Sequence, residues 1–295
     1  LSGDQYKVTA TMSNTGWLST YTTREAIRVR RDYPAVAEAL LSGASGQLRN
    51  AATVGGNLMQ QTRCSYFYDT HSACNLRAPG AGCDALEGEN SKHAILGWTR
   101  ACIATHPSDF CVPLIAMGAR IEVAGPGGRR ELALDDLFQL PDESSAPGTA
   151  LLPGELITAL ILPGHAKTFA GHSRYIKLRD RTSYAFAIVS AAALLDVGDG
   201  KIKDARIALG SVAAKPWRVG KAETLLNGAE ATEASFRKAA EAALADARPS
   251  GDNEYKIELA KRLLVRTPTA AAAGTPPAMP ALPGSVFSMT EETGS

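Results

Sequence analysis

The apolar positions in the first half of the chain predict two short helices. Apolar residues fill most of 35–41 after Pro34, which suits the first turn of a helix, and Gly43 is typical of a helix end. A second apolar run predicts a helix over 109–117 that ends at Gly118. Each helix is short and bounded by a turn, so both belong to a mixed structure of helices and strands.

Strands are predicted after the second helix. The segments 120–124 and 130–134 flank a Gly-Pro-Gly-Gly turn at 125–128 and predict a hairpin, and 155–162 predicts a further strand. Residues 163–171 then have the composition of a linker between two domains.

Beyond the linker the pattern predicts a three-stranded sheet followed by helices with apolar residues at three- and four-residue spacing. The predicted strands are 173–179, 185–197 and 202–211, and the predicted helices are 217–226, 232–247 and 255–265. Residues 267–295 are rich in Ala and Pro without apolar periodicity, which predicts a disordered tail.

Composition excludes some classes of function. The chain has 295 residues, with 31 Lys and Arg against 30 Asp and Glu, so its formal net charge is +1. A chain without an excess of positive charge is a poor partner for nucleic acid. The longest apolar stretch, 185–197, is too short to span a membrane and predicts a buried strand. We therefore expect neither nucleic acid nor membrane as a partner.

Four cysteines in one long irregular segment are the chief chemical signal. Cys64, Cys74, Cys83 and Cys102 are separated by nine, eight and eighteen residues rich in Gly, Asn, Pro and Asp. Spacing leaves three alternatives open: disulfides, a zinc site, or an iron–sulfur cluster, which accepts more varied spacings than zinc does. The fifth cysteine, Cys111, lies in an apolar run and is predicted to be a core thiol.

The five histidines are scattered, and for each we favour a structural or surface role. His71 and His93 are the two near enough to the cysteine segment to be considered as alternative ligands. The aromatic trio at 66–68 is interpreted as packing rather than as an electron route.

Longer strings carry a resemblance to a known family. The segment from about 30 to 266 resembles the FAD-binding medium subunit of molybdenum hydroxylases, the xanthine dehydrogenase and carbon monoxide dehydrogenase superfamily. The strings RCSYFYD at 63–69, ACIATHPSD at 101–109 and KLRDR at 177–181 are similar to those of bacterial aldehyde oxidoreductase subunits that carry a [4Fe-4S] cluster beside the flavin.

The resemblance implies an α+β fold in two domains. A partial FAD-binding domain of the PCMH type would occupy 1–163 and include the iron–sulfur loop 60–105. A C-terminal domain over 172–266 would be a three-stranded antiparallel sheet covered by helices. The family begins with a subdomain whose glycine-rich loop holds the FAD pyrophosphate; the stretch 7–21 resembles only its end, so we expect an incomplete flavin site in this sequence.

The resemblance also implies the site residues. The cluster ligands would be Cys64, Cys74, Cys83 and Cys102, and no catalytic residue is expected in this subunit. The FAD contacts would be Thr53, Val54, Gly55, Gly56, Asn57, Asp109, Ile157 and Lys177. Ordinary structural roles stay open for three of them: Asn57 as a turn residue, Asp109 as a helix N-cap and Lys177 as a solvated strand charge.

The implied function is electron transfer within a heterotrimeric molybdenum hydroxylase, most like an aldehyde oxidoreductase. Its partners would be a large molybdopterin-binding subunit, a small [2Fe-2S] subunit and an external electron acceptor. Two alternatives stay open: a subunit of a benzoyl-CoA-type reductase, and a cluster-bearing structural subunit that does not bind FAD. The expected compartment is the cytoplasm, or the periplasm if a partner carries a signal for export.

Overall fold

The computed structural model describes residues 5–9 and 29–277 of the chain. The stretch 7–21 is therefore outside the described residues from position 10 onward, as is the part of the predicted tail beyond residue 277. Within the described ranges the chain forms two four-stranded antiparallel sheets, a two-stranded ribbon and helices that pack against them.

The strands, in chain order, are β1 (Gln5–Thr9), β2 (Arg120–Gly125), β3 (Gly128–Ala133), β4 (Phe138–Gln139), β5 (Gly148–Thr149), β6 (Leu156–Pro163), β7 (Ser173–Leu178), β8 (Val189–Gly198), β9 (Lys201–Gly210) and β10 (Trp217–Arg218). The α-helices are α1 (Pro34–Ser42), α2 (Gly46–Ala51), α3 (Val54–Leu58), α4 (Ser65–Tyr68), α5 (Cys111–Met117), α6 (Leu134–Leu137), α7 (Gly220–Leu226), α8 (Glu233–Ala243) and α9 (Tyr255–Ala272). Two 3-10 helices cover Asp84–Leu86 and Gly164–His172.

The first sheet has the strand order β1-β6-β2-β3 and contains the predicted hairpin. Its turn lies between Gly125 and Gly128, which are partners in the register of β2 and β3. The predicted helices are confirmed as α1, with Pro34 in its first turn, and α5, which ends at Gly118. Gly118 adopts a left-handed conformation with φ of 75°, where a side chain would be strained.

The second sheet, ordered β10-β9-β8-β7, lies between two hydrophobic cores. The first seven residues of β8 are all buried, and alternate residues face different cores: Ala192 and Leu194 pack with α5 and the first sheet, whereas Ala193 and Leu195 pack beneath α7 to α9. This burial on both faces explains why the sequence of β8 is apolar without alternation.

Two segments have a structure that differs from the sequence predictions. Trp217 and Arg218 form strand β10 rather than the start of a helix, because they pair with β9, and the helix begins at Gly220. The predicted linker is a 3-10 helix that buries Ala166 and Phe169, so apolar contacts order a segment whose composition suggested a loop. Strand β10 is therefore a fourth strand at the edge of the predicted three-stranded sheet.

The predicted boundary of the disordered tail is also wrong. Helix α9 continues to Ala272, and Thr267, Pro268 and Ala271 are buried against the second sheet. After the helix, the Thr275 hydroxyl accepts a hydrogen bond from the Ser173 backbone N–H at 2.8 Å. Burial of small side chains, rather than apolar periodicity, holds this alanine-rich segment.

None of the helices within residues 5–9 and 29–277 combines the length and apolar content that crossing a bilayer requires.

Candidate functional site

A cavity of about 630 Å³ lies between α1, α3, the residues that precede α5 and the loop after β7. Its volume is in the range of small-molecule and cofactor sites. Six of the eight predicted flavin residues line it: Thr53, Val54, Gly56, Asn57, Asp109 and Lys177. The structure thus brings together groups that are up to 124 positions apart in the sequence, from Thr53 to Lys177.

The wall formed by 53–57 is a helical turn rather than an open loop. Thr53 is the N-cap of α3, and its hydroxyl accepts a hydrogen bond from the Gly56 backbone N–H at 3.0 Å. A Cβ atom at Gly56 would come within 2.9 Å of Thr53 Oγ1, so a side chain there would displace the cap. Glycine therefore keeps both the turn and the open cavity wall.

Gly55 and Ile157 do not line the cavity. A Cβ atom at Gly55 would lie 3.9 Å from Ile157 Cβ, so the two residues face each other behind the wall. Ile157 is buried on β6 with the first core cluster. Their position supports the turn from behind, and a direct flavin contact for either one stays a prediction.

Asn57 belongs to a partly buried polar network and is more than a turn residue. Its Oδ1 atom accepts hydrogen bonds from Gln60 Nε2 and from Ser108 Oγ, both at 2.7 Å. His106 supports the same network, since its Nδ1 accepts from the Ser108 backbone N–H and its Nε2 donates to the Leu58 carbonyl. Because both acceptor positions of Oδ1 are used, the Asn57 amide group is oriented with Nδ2 as the donor for another group.

Burial lowers the pKa of His106 to about 4, so the imidazole is neutral at neutral pH. A neutral ring can accept through one nitrogen and donate through the other, as the two contacts require. His106 therefore has the structural role that the sequence suggested for it.

Asp109 and Lys177 form a buried ion pair at the cavity wall. Asp109 Oδ2 accepts from Lys177 Nζ at 2.7 Å, and Asp109 Oδ1 accepts from the Tyr175 hydroxyl. The side chains of Lys177 and Asp109 are 5% and 9% exposed. Asp109 is therefore not an N-cap and Lys177 is not a solvated strand charge. Burial and the Asp109 charge together raise the pKa of Tyr175 well above its ordinary value, so the hydroxyl keeps its proton.

Several cavity residues were not predicted from the sequence. Gly43 approaches the carboxylate of Asp109, since a Cβ atom there would lie 3.4 Å from Oδ2. Arg63 lies with its Cζ 4.8 Å from the centre of the Phe186 ring. Tyr184 and Phe186 are exposed at the cavity, in the loop between β7 and β8. The sequence analysis predicted a strand from residue 185 because residues 185–188 continue the apolar pattern of β8, so the end of this loop was not recognised.

The four predicted cluster cysteines are all free thiols. They lie near one another, in the segment that follows the cavity residue Arg63. Burial, with smaller contributions from the other cysteines, raises the pKa of Cys64 and raises that of Cys102 to about 12. Cys74 and Cys83 lie opposite each other in an antiparallel β-bridge. Cys111 is fully buried in the first core cluster, as predicted.

The two histidines considered as alternative ligands differ in position. His93 Nε2 lies 3.2 Å from Cys64 Sγ, whereas His71 is exposed and contacts Asp69. The carbonyl of His93 accepts from Lys256 Nζ at 2.8 Å and from Asn253 Nδ2 at 3.0 Å, which connects the cysteine segment to α9. Across the described ranges, no group of three or more His, Cys, Asp or Glu side chains has an arrangement that could hold a metal ion.

Comparison with known sequences assigns the chain to a family. The sequence model described as "FAD binding domain in molybdopterin dehydrogenase" matches residues 6–165, more than half of the chain. The chain belongs to this family of FAD-binding subunits. A second family model, "CO dehydrogenase flavoprotein C-terminal domain", matches residues 174–271 and extends beyond residue 266, where the ordered part was predicted to end.

Two individual relatives are named as an FAD-binding subunit and a medium subunit, in agreement with the family assignment. The chain is 49% identical over 239 residues to the aldehyde oxidoreductase FAD-binding subunit PaoB of Escherichia coli (strain K12), covering 80% of this chain and 71% of PaoB. It is 32% identical over 168 residues to the nicotine 6-hydroxylase medium subunit of Paenarthrobacter nicotinovorans, covering 55% of each. The chain is thus an FAD-binding subunit of an aldehyde oxidoreductase-like molybdenum hydroxylase.

Solved structures show the same fold. Quinoline 2-oxidoreductase from Pseudomonas putida 86 matches with a TM-score of 0.63 and 22% identity, over 92% of this chain and 76% of that one. Carbon monoxide dehydrogenase from Hydrogenophaga pseudoflava matches with a TM-score of 0.64 and 24% identity, over 92% and 77%. At these identities the likeness supports the predicted α+β fold and says nothing further about chemistry.

Proposed function

We infer that this subunit holds FAD in the 630 Å³ cavity and a [4Fe-4S] cluster on Cys64, Cys74, Cys83 and Cys102. It would pass electrons between the [2Fe-2S] clusters of a small partner subunit and an external acceptor, while a large molybdopterin-binding subunit oxidises an aldehyde. One observation carries the proposal: the cavity is walled by six residues predicted to contact flavin, and the cysteine segment begins at its edge.

The cavity residues fit an aromatic, partly charged cofactor. Ala39, Leu40 and Phe110 supply an apolar wall, against which a planar ring system can be buried. Asn57 offers its Nδ2 donor, because its oxygen is already bonded twice. Lys177 supplies a positive charge that Asp109 holds in place. When bound, FAD supplies one- and two-electron redox chemistry; these residues would bind and orient it.

The four cysteines are proposed to bind a cluster rather than a single zinc ion. Four ligands of one zinc ion must converge to about 2.3 Å from one point. The thiolates of a [4Fe-4S] cluster each bind a different iron and therefore stand farther apart. The four cysteines are free thiols, and Cys64, Cys74 and Cys83 are near enough to influence the pKa of Cys102, which supports the proposal that they bind one cluster.

The aldehyde is proposed from similarity to PaoB, whose name states that activity. Neither the cavity nor the cysteine segment selects a substrate, because substrate oxidation in this family would occur on another subunit. Identification of the aldehyde and the acceptor therefore requires the assembled complex.

A blocked cavity tests the flavin site directly. Ala52 lines the cavity, and the variant Ala52→Trp would fill part of it. Ala245→Trp is a matched control at an exposed position after α8, remote in sequence from the cavity residues. With the complex purified from the same host, we expect flavin per subunit to fall at least tenfold in Ala52→Trp and to be unchanged in Ala245→Trp. Equal flavin content in the two variants would show that FAD lies elsewhere.

A further inference from the structure

The backbone places Cys74 and Cys83 directly opposite each other. They are partners in an antiparallel β-bridge, and the Asp84 N–H donates to the Ala73 carbonyl at 3.1 Å. The backbone hydrogen bond thus joins the residues beside the cysteines rather than the cysteines themselves. Opposite residues of this kind have Cα atoms about 4.5 Å apart, the closer of the two antiparallel spacings.

Side-chain hydrogen bonds hold the bridge on both sides of the cysteine pair. Asp84 Oδ2 accepts from the Ala73 N–H at 2.7 Å, on one side. Asn75 Oδ1 accepts from the Gly82 N–H at 2.8 Å, on the other. Hydrogen bonds of the protein itself thus tie both neighbours of each cysteine across the bridge.

A disulfide requires Cα atoms about 4.4–6.8 Å apart, and the spacing of this bridge satisfies that requirement. Both thiols are free in the structure. Cys102 is in a bridge with Thr99 instead of another cysteine, and no such bridge holds Cys64 against a cysteine in the described ranges. Cys74 and Cys83 are therefore the pair whose backbone is already placed for cross-linking.

We propose that Cys74 and Cys83 form a reversible disulfide whenever the segment carries no cluster, and that this bond blocks cluster insertion. The disulfide itself follows from the bridge geometry. Its effect on cluster insertion rests on the proposed function, since it removes two of the four ligands.

A small-molecule disulfide such as oxidised glutathione is the oxidant. The partly exposed Cys83 attacks one of its sulfurs, releases one glutathione and becomes a mixed disulfide. The buried Cys74 then attacks the Cys83 sulfur and releases the second glutathione. Two protein thiols are oxidised, one glutathione disulfide is reduced to two thiols, and the two protons pass to the leaving thiolates.

Mass spectrometry of the full chain, produced without iron and treated with oxidised glutathione, tests the pairing. Trypsin separates 64–77 from 78–92, and chymotrypsin cuts after Tyr68, which separates Cys64 from Cys74. We expect the fragment that contains Cys74 to be linked to the fragment that contains Cys83, and dithiothreitol to release it. The link should be absent from Cys83→Ser and retained in Cys111→Ser.

Iron uptake tests the consequence. Oxidised wild-type chain, supplied with ferrous iron and sulfide, should take up at least tenfold less iron than reduced chain, and dithiothreitol should restore uptake. A dominant link between any other two cysteines, or no link in a chain whose circular dichroism is native, would overturn the proposal. If the link forms but reduced chain binds no iron, the proposed cluster is wrong while the disulfide stands.

Discussion

The ion pair between Asp109 and Lys177 provides a sharp test of how the cavity wall is held. Asp109→Ala removes the carboxylate and leaves the Lys177 ammonium buried, with the Ser42 carbonyl at 3.4 Å as its remaining hydrogen-bond acceptor among the described residues. The Tyr175 hydroxyl loses its acceptor as well. Breaking a buried ion pair from one side costs about 3–5 kcal/mol. We therefore expect the equilibrium between folded and unfolded chain to shift by about two to four orders of magnitude.

A second variant separates the destabilisation caused by the unpaired Lys177 charge from that caused by lost contacts. In Asp109→Ala combined with Lys177→Met, no ammonium stays buried, so the double variant should be more stable than Asp109→Ala alone. The coupling energy between neighbouring residues of this kind is about 0.5–3 kcal/mol. The exposed pair Lys221–Asp246 offers the control, since Asp246→Ala should change stability little.

Urea unfolding of the flavin-free chain, followed by tryptophan fluorescence, measures these differences without a contribution from cofactor binding. If Asp109→Ala unfolded at the same urea concentration as Asp246→Ala, the buried pair would not stabilise the wall. If the double variant lost as much stability as Asp109→Ala and Lys177→Met measured separately and added together, the two charges would act independently and the argument would fail.

Three further predictions follow from other parts of the structure. His106 is neutral when folded, with a pKa lowered to about 4, so its contribution to stability should be complete above pH 6.5 and fall by up to about 1.4 kcal/mol per pH unit toward pH 4. Urea titrations at several pH values should show a smaller loss of stability toward pH 4 in His106→Asn than in the wild-type chain. Cys74→Ser should lower the iron content of anaerobically purified complex, whereas Cys111→Ser should leave it unchanged; equal iron in both would refute the ligand assignment. Truncation after Arg266 should lower the melting temperature because it removes the buried end of α9, whereas truncation after Pro277 should not; identical melting curves would show that this end adds no stability.

The sequence alone determined the local elements and the family. Gly118 and the Gly125–Gly128 turn predicted the end of α5 and the hairpin, because those backbone conformations require particular residues. The long apolar run predicted β8 as a buried strand, because a strand covered on both faces needs no alternation. Local signals of this kind are contained in the residues themselves.

Tertiary structure decided what the polar residues do. The sequence left Asp109 open as an N-cap and Lys177 as a surface charge. The packing of α1 against both β7 and α5 brings them together as a buried pair. The order of 267–272 likewise depends on contacts with the second sheet, which an alanine-rich sequence does not reveal. Cys74 and Cys83 lie opposite each other because of a backbone bridge. The number of residues between two cysteines in an irregular segment does not determine whether they meet in space.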